Sequence, residues 1–193
     1  MHSTRRKNAE APGRIRIIGG IYRGRRLAVA NRPGLRPTPD RVRETVFNWL
    51  GQRLDGLACL DLFAGTGALG FEAASRGATR VVMVESDRAA FAALQGARAL
   101  LGAHAVELRH EDAFSFVRGA NERFDVVFLD PPFGQNALPA ALEAVGPRIA
   151  AGARVYVESP AALALHPRWE VLRSARAGQV VYQLLQWKGE GAP

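Results

Sequence analysis

Short apolar runs alternate with alanine- and leucine-rich stretches along most of this 193-residue chain. The apolar runs predict five strands, which read ACLDLF, RVVMVE, AVELRH, FDVVFLD and ARVYVES. The stretches between them are typical of helices. Strands that alternate with helices form parallel, doubly wound sheets with helices on both faces. From Leu57 onward, the pattern therefore predicts an α/β fold.

The end of the chain departs from this alternation. Two apolar runs, WEVLRSARA and QVVYQLLQW, are separated only by Gly178. Strands this close in sequence pair as a hairpin, in which they run antiparallel. The mostly parallel sheet is therefore expected to end with an antiparallel C-terminal strand.

The first 53 residues precede the alternating pattern and form a separate layer. The runs RIRIIGG and RRLAVA predict a small β-ribbon, and TPDRVRETVFNWLG predicts a helix. Thr38 can cap this helix, and Pro39 suits its first position. The apolar residues of the helix share one face, which leaves Arg41, Arg43 and Glu44 to other faces or to a ligand.

Three regions follow from these patterns. Residues 1–13 are expected to form a disordered basic tail, residues 14–53 a basic N-terminal extension, and residues 54–193 the main domain. The extension is too short to fold alone, so we expect it to share the core of the main domain.

Positive charge is concentrated in the first 53 residues. The chain carries a net charge of +8, yet residues 1–53 alone carry +10 and the rest −2. A basic segment beside a nearly neutral body indicates a polyanionic partner, above all nucleic acid, although a solubilising tail is the simpler alternative. The arginines expected to hold phosphates are Arg14, Arg16, Arg23, Arg25, Arg26, Arg32 and Arg36.

Composition limits the disulfides, the cellular location and the metal sites that can be expected. Cys59 is the single cysteine, so an internal disulfide is excluded and a reducing, cytoplasmic location fits. No apolar run approaches membrane-spanning length. His104, His110 and His166 lack the spacing of metal ligands, so no metal is expected.

The segment LDLFAGTGALG places Gly65, Gly67 and Gly70 between a predicted strand and a predicted helix. Glycines there let the backbone approach a ligand closely, but the pattern fits a dinucleotide equally well. Asp61 ends the strand four residues before Gly65 and would disfavour a pyrophosphate. A carboxylate can instead accept the α-ammonium group of S-adenosylmethionine (SAM).

Acids follow the next two strands as well. Glu85 can accept both ribose hydroxyls of an adenosine, in SAM or in NAD. Asp112 can bond an adenine amino group or simply cap the next helix, and both alternatives stay open. Phe63, inside the glycine segment, completes the set of cofactor-binding candidates. Acids at the ends of successive parallel strands face one crevice.

The fourth strand ends in Asp130, Pro131, Pro132 and Phe133. Two prolines fix the backbone and remove two N–H donors, so acceptors remain: the Asp130 carboxylate and the Pro131 carbonyl. These can hold both protons of an exocyclic amine while its nitrogen attacks an electrophilic methyl group. Phe133 can stack on the base. The alternative is a strand terminator with a core phenylalanine.

The segments DLFAGTGALG and DPPF resemble class I SAM-dependent methyltransferases that modify exocyclic amines. RIIGGIYRGRRLAV, GLRPTPDRVRETVFNWL and GQVVYQLLQW are similar to a narrower group, the bacterial 16S rRNA (guanine-N2)-methyltransferases of the RsmD type. This resemblance covers roughly Arg14 to Trp187. It implies the class I (Rossmann-like) fold, with residues 54–193 as the methyltransferase domain and residues 14–53 as an RNA-binding layer.

The same resemblance implies a SAM cofactor, a 16S rRNA partner within a small ribosomal subunit, and a monomer without metal. It assigns the SAM loop to Asp61, Gly65 and Gly67, and catalysis to the DPPF segment. It also places Thr38 and Arg41 near the methionine end of SAM and the RNA.

Three other functions stay open at this point. An adenine-N6 methyltransferase would share DPPF-type chemistry. A non-catalytic RNA-binding module would leave the intact pocket motifs unexplained, and an NAD-dependent oxidoreductase would leave DPPF unexplained.

Overall fold

The computed structural model describes residues 13–30, 32, 38–132 and 137–188. A seven-stranded sheet runs through it in the order β5-β4-β3-β6-β7-β9-β8. Its strands are β3 (Ala58–Asp61), β4 (Arg80–Val84), β5 (Val106–Arg109), β6 (Phe124–Leu129), β7 (Ile149–Ser159), β8 (Trp169–Ala177) and β9 (Val180–Trp187). Strands β3 to β7 pair in parallel, and β9 pairs antiparallel with both β7 and β8. The predicted doubly wound sheet with its C-terminal hairpin is confirmed.

Helices cover both faces of the sheet, so a separate hydrophobic core lies on each face. The helices of the main domain are α2 (Ala68–Ser75), α3 (Arg88–Leu101), α4 (Ala113–Gly119) and α5 (Ala137–Val145), and a 3-10 turn (Gly146–Arg148) follows α5. Alternate strand residues enter opposite cores: Cys59 packs with α2 and α3, whereas Leu60 packs with α4 and α5. Cys59 is fully buried.

The N-terminal layer packs on the α2–α3 face. It consists of β1 (Arg14–Arg16), β2 (Arg26–Ala28) and helix α1 (Asp40–Trp49). Ile15 and Leu27 pair across the ribbon, and both are buried in the same cluster as Cys59. The layer and the sheet thus share one core, while the proposed limits of the three regions stay a prediction.

A buried charged cluster fastens this layer to helix α2. Glu72 is fully buried and accepts the backbone N–H groups of Ile18 and Gly19, each at 2.8 Å. Its carboxylate also pairs with Arg43 at 3.3 Å and with Arg76 at 2.9 Å. One carboxylate therefore holds the ribbon, helix α1 and helix α2 together.

Three expectations about helix α1 are wrong. The helix begins at Asp40, so Pro39 takes the N-cap position and not the first helical position, and no side chain caps the helix, so Thr38 does not cap it. Arg43 is not on a free face: it is 1% exposed because Glu72 on helix α2 supplies a buried counter-charge. Burial lowers the pKa of Arg43, and the charges of Glu72 and Asp40 oppose that shift.

No helix within the described residues is both long and apolar enough to cross a membrane. Nor do the described residues bring three or more histidine, cysteine, aspartate or glutamate side chains into an arrangement suited to a metal ion.

Candidate active site

Four carboxylates lie at the carboxyl edge of the parallel strands. Asp61 ends β3, Glu85 follows β4, Asp130 follows β6, and Glu158 lies near the end of β7. Because β4, β3, β6 and β7 are successive neighbours in the sheet, these four strand ends are adjacent. The sequence predicts the first three as site residues, and the structure adds Glu158.

Asp61 is a buried acid at the centre of this edge. It is 4% exposed, and its Oδ2 accepts the N–H of Gly70 at 2.9 Å. Burial raises the pKa of Asp61 to about 7; the Gly70 bond lowers it, and the charge of Glu85 raises it further. A nearby cation would stabilise the ionised form of this carboxyl, whereas a pyrophosphate would add to the repulsion. The position suits an ammonium ligand.

Glu85 joins the two loops that border the crevice. Its Oε2 accepts the N–H of Gly65 at 2.8 Å, and its Oε1 accepts the N–H of Asp87 at 2.6 Å. An ionised carboxylate has about four lone-pair sites, so two acceptor positions stay available for ribose hydroxyls. Ribose binding by Glu85 stays a prediction.

The glycine loop needs its glycines for packing. Gly67 precedes helix α2 at a φ of 77°, and a Cβ there would lie 2.6 Å from Leu94 and 2.7 Å from the ring of Phe71. A Cβ on Gly70 would lie 2.7 Å from the sulfur of Met83. The absence of a Cβ at Gly70 lets helix α2 approach strand β4 closely, and its absence at Gly67 leaves room for Leu94 of helix α3 and for the Phe71 ring.

Asp130 and the two prolines follow β6 directly. Asp130 is half-buried, Pro131 is buried and Pro132 is exposed. Burial raises the pKa of Asp130, and the negative charges of Glu158 and Asp61 raise it further. Phe133 lies outside the described residues, so its stacking role stays a prediction.

Glu158 lies beside hydroxyl groups from two different parts of the chain. The Tyr156 hydroxyl donates to its Oε1 at 2.6 Å, and the Thr38 hydroxyl lies close to the same carboxyl group. Burial raises the pKa of Glu158, and the two hydroxyl groups oppose that shift without cancelling it. Thr38 is 8% exposed and lies just before helix α1, so it connects the N-terminal layer to the site.

Two further cofactor candidates, Asp112 and Phe63, make simpler contacts. Asp112 caps helix α4 by accepting the N–H of Ser115 at 2.9 Å, which confirms its capping alternative and leaves adenine binding a prediction. Phe63 is half-buried and packs edge-to-face on Phe114, with ring centres 6.5 Å apart.

Seven of the eight predicted RNA-binding arginines lie in the described residues, and all seven are exposed: Arg14, Arg16, Arg23, Arg25, Arg26, Arg32 and Arg41. Arg36 lies outside them. Arg16 and Arg26 face each other directly across the ribbon. Like charges in such a pair destabilise a sheet, which points to a role other than stability.

Some of these arginines also make protein contacts. Arg16 pairs with Asp40 at 3.1 Å, and Arg32 pairs with the helix-capping Asp87 at 2.7 Å. Arg25 donates to the carbonyl of Leu100 at 2.9 Å, at the end of helix α3. The side chains of both ion pairs are more than two-fifths exposed, so these pairs are weak enough to be exchanged for phosphates.

The four carboxylates of the site share one property. Within the described part of the chain, their hydrogen bonds come from backbone N–H groups and hydroxyls, and none of them forms a salt bridge with lysine or arginine. A crevice lined by carboxylates without protein counter-charges is complementary to cations and to N–H donors. It can hold a cationic cofactor on one side and an amine on the other.

Comparison with known proteins places the chain among relatives. The family model described as "Conserved hypothetical protein 95" matches residues 15–186. The Ribosomal RNA small subunit methyltransferase D of Escherichia coli (strain K12) is 41% identical over 192 residues, which cover 97% of this chain and 97% of that protein.

Solved structures agree with the fold. The structure of yhhF from Escherichia coli is 42% identical to this chain, with a TM-score of 0.84. The match covers 92% of this chain and 100% of the yhhF chain. An RNA methyltransferase from Salinibacter ruber in complex with S-adenosyl-L-homocysteine is 20% identical, with a TM-score of 0.64, and is similar over 82% of this chain and 97% of that one. The predicted class I SAM-dependent methyltransferase fold is confirmed.

Proposed function

The chain belongs to the family described as conserved hypothetical protein 95, and from this premise we propose that it transfers a methyl group from SAM to the exocyclic N2 amine of a specific guanine in 16S rRNA. The substrate would be the rRNA within an assembling or assembled small ribosomal subunit, which puts the protein in the cytoplasm.

The observation that carries this proposal is the carboxylate-lined crevice. Asp61 would accept the ammonium group of SAM, and Glu85 its ribose hydroxyls. Burial and the charge of Glu85 raise the pKa of Asp61, and a bound cation would stabilise its ionised form. When bound, SAM supplies an electrophilic methyl group on a sulfonium, whose C–S bond breaks as the new C–N bond forms.

Asp130 and Pro131 would act on the amine. The Asp130 carboxylate and the Pro131 carbonyl can accept its two N–H bonds, orient the nitrogen lone pair and increase its electron density. Once methylated, the nitrogen must lose a proton. The pKa of Asp130 is raised by burial and by neighbouring charge, so this carboxylate is a suitable acceptor for that proton.

The exposed arginines of the N-terminal layer would hold RNA phosphates. Arg14 and Arg26 lie on the outer face of the β-ribbon, whereas Ile15 and Leu27 face the core. Electrostatic contacts of this kind position an RNA without reading its sequence. The base itself must leave its stack to reach Asp130.

A salt titration tests the role of the ribbon. Replacing Arg14 and Arg26 together with glutamine should weaken RNA binding and reduce the slope of log K against log salt by roughly one for each phosphate that the protein no longer neutralises. The matched control replaces Arg173 and Arg176, on edge strand β8, with glutamine. An unchanged slope in the ribbon variant, or an equal change in the control, would show that the ribbon arginines do not bind RNA.

Cofactor affinity should depend on pH through Asp61. Because the pKa of Asp61 is about 7, this carboxyl is mostly protonated at pH 5.5 and about half ionised at pH 7. The ionised form accepts the ammonium, so SAM affinity should rise about tenfold between these pH values, with proton release on binding. Calorimetry in buffers of different ionisation enthalpy measures both. Asp61→Asn should bind more weakly and flatten the profile; a profile that keeps its slope in this variant assigns the titration to another group.

Transfer itself is tested with methyl-labelled SAM. Label should enter 16S rRNA from cells that lack the modification and should not enter fully modified 16S rRNA. The proposal would be contradicted if no label entered the unmodified 16S rRNA, whether that RNA is free or in small subunits.

A further inference from the structure

We propose that Glu158 selects guanine by accepting a hydrogen bond from the ring N1–H, beside the amine held by Asp130 and Pro131. This inference rests on the proposed function and deepens it, because it names the residue that separates guanine from other bases with an exocyclic amine.

The sheet register brings Glu158 next to Asp130. Strands β6 and β7 are parallel, and the Cα partners at their ends are Phe128 with Tyr156 and Leu129 with Val157. The next position on each strand is Asp130 and Glu158. Adjacent strands lie about 4.8 Å apart, so the two acids stand side by side at the edge.

The two acids also point to the same face of the sheet. Side chains alternate along a strand, so Asp130 shares the face of Phe128, and Glu158 shares the face of Tyr156. Phe128 and Tyr156 both lie in the core cluster beneath the N-terminal layer. The carboxylates therefore open toward the layer that carries the exposed arginines and Thr38.

Glu158 is positioned as an acceptor. Tyr156 is fully buried and donates its hydroxyl to Oε1 at 2.6 Å. This bond fixes the orientation of the carboxyl group and favours its ionised form, whereas burial opposes ionisation. A carboxylate with one such donor keeps about three further lone-pair sites, and the half-buried side chain can present them to a ligand.

Three acceptors match the donor edge of guanine. That edge carries a ring N1–H beside an amine with two N–H bonds, and the site offers the carboxylates of Asp130 and Glu158 and the carbonyl of Pro131. Adenine offers only its amine, next to a ring nitrogen with a lone pair. That lone pair would face the Glu158 carboxylate, so adenine would be repelled at the position where guanine is held.

Paired changes in the protein and in the base test the match. We would make Glu158→Gln and compare rates on small subunits assembled with 16S rRNA that carries the target guanine and on the same subunits with 2-aminopurine at that position. 2-Aminopurine keeps the N2 amine but has a ring N1 lone pair in place of N1–H. It also lacks the O6 oxygen of guanine, a difference that is the same for both proteins and cancels when the wild type is compared with Glu158→Gln. The glutamine amide can donate to that lone pair, which glutamate cannot.

The wild-type protein should prefer guanine to 2-aminopurine by roughly 10- to 100-fold in kcat/KM, and Glu158→Gln should shift this ratio toward 2-aminopurine by at least about tenfold. Because both substrates meet the same protein, a smaller amount of folded protein cancels in the ratio. Glu170→Gln on β8 is the control and should keep the wild-type ratio.

The outcomes separate the two proposals. A wild-type protein without activity on the small subunits that carry the target guanine would contradict the proposed function. A wild-type protein that is active but has equal rates on the two substrates, or an unchanged ratio in Glu158→Gln, would overturn the role of Glu158 while leaving the proposed function in place.

Discussion

The Asp130→Ala variant should lose methyl transfer by a factor of about 100 or more while it binds SAM within a few-fold of the wild type. Asp130 is proposed to contact the amine and not the cofactor, so its loss should lower kcat and leave cofactor affinity nearly intact. Removing the negative charge weakens the attraction of the crevice for the cationic cofactor, but it also relieves repulsion with Asp61 and Glu158, so the net change in affinity should be small. Single-turnover rates and calorimetric SAM titrations measure the two effects separately.

Two further variants test the role of the Asp130 carboxylate, one by a conservative change and one as a control. Asp130→Asn keeps a carbonyl acceptor but loses the charge and the proton-accepting carboxylate, so its rate should fall between those of the wild type and the alanine variant. Glu143→Ala removes an exposed carboxylate from helix α5 and should keep wild-type activity. Wild-type turnover in the Asp130→Ala variant would show that Asp130 takes no part in the mechanism.

The Glu72→Ala variant should show the largest loss of stability, about 3–5 kcal/mol in the free energy of unfolding. The substitution leaves the guanidinium of Arg43, which is 1% exposed, without its buried partner. It also removes the acceptor for the backbone N–H groups of Ile18 and Gly19. Buried donors without acceptors carry a desolvation cost that no new interaction offsets.

Urea denaturation followed by circular dichroism measures this loss. Glu44→Ala, on the exposed side of helix α1, is the control and should change the free energy of unfolding by less than about 0.5 kcal/mol. Because Glu72 fastens the ribbon, the variant should also expose the N-terminal layer to proteases before the sheet unfolds. A loss below about 1 kcal/mol would show that the cluster around Glu72 does not hold the layer in place.

The strands and three of the four site carboxylates could be predicted from the sequence for a physical reason. The carboxyl ends of parallel strands meet at one edge, so Asp61, Glu85 and Asp130 had to converge once the strands were recognised. Each acid lies at the end of an apolar run, and the pattern alone indicates that placement.

Glu158 could not be assigned in this way. It also ends an apolar strand, but its role depends on β7 lying next to β6 and on Tyr156 and Thr38 reaching it. Strand order and contacts between distant segments do not appear in the local pattern. A like argument applies to Arg43, whose burial depends on Glu72, 29 residues further along the chain. A pattern on one helix cannot show which charge a second helix will supply.

The start of helix α1 shows a second limit of prediction from the sequence. Threonine before proline is a good local signal for a cap, yet Pro39 takes the N-cap position and the Thr38 hydroxyl lies beside the Glu158 carboxyl group instead. A tertiary contact takes the place of the local one.

The identity of the methylated nucleoside tests the proposed reaction most directly. The protein would be incubated with methyl-labelled SAM and either free 16S rRNA or small subunits that lack the modification, and the labelled RNA would be digested and its nucleosides separated. We predict N2-methylguanosine at a single site, and the better of the two substrates shows whether the arginine-rich layer recognises RNA alone or a ribonucleoprotein surface. N6-methyladenosine as the labelled product would contradict the proposed reaction, because it would require the edge formed by Asp130, Pro131 and Glu158 to accept adenine.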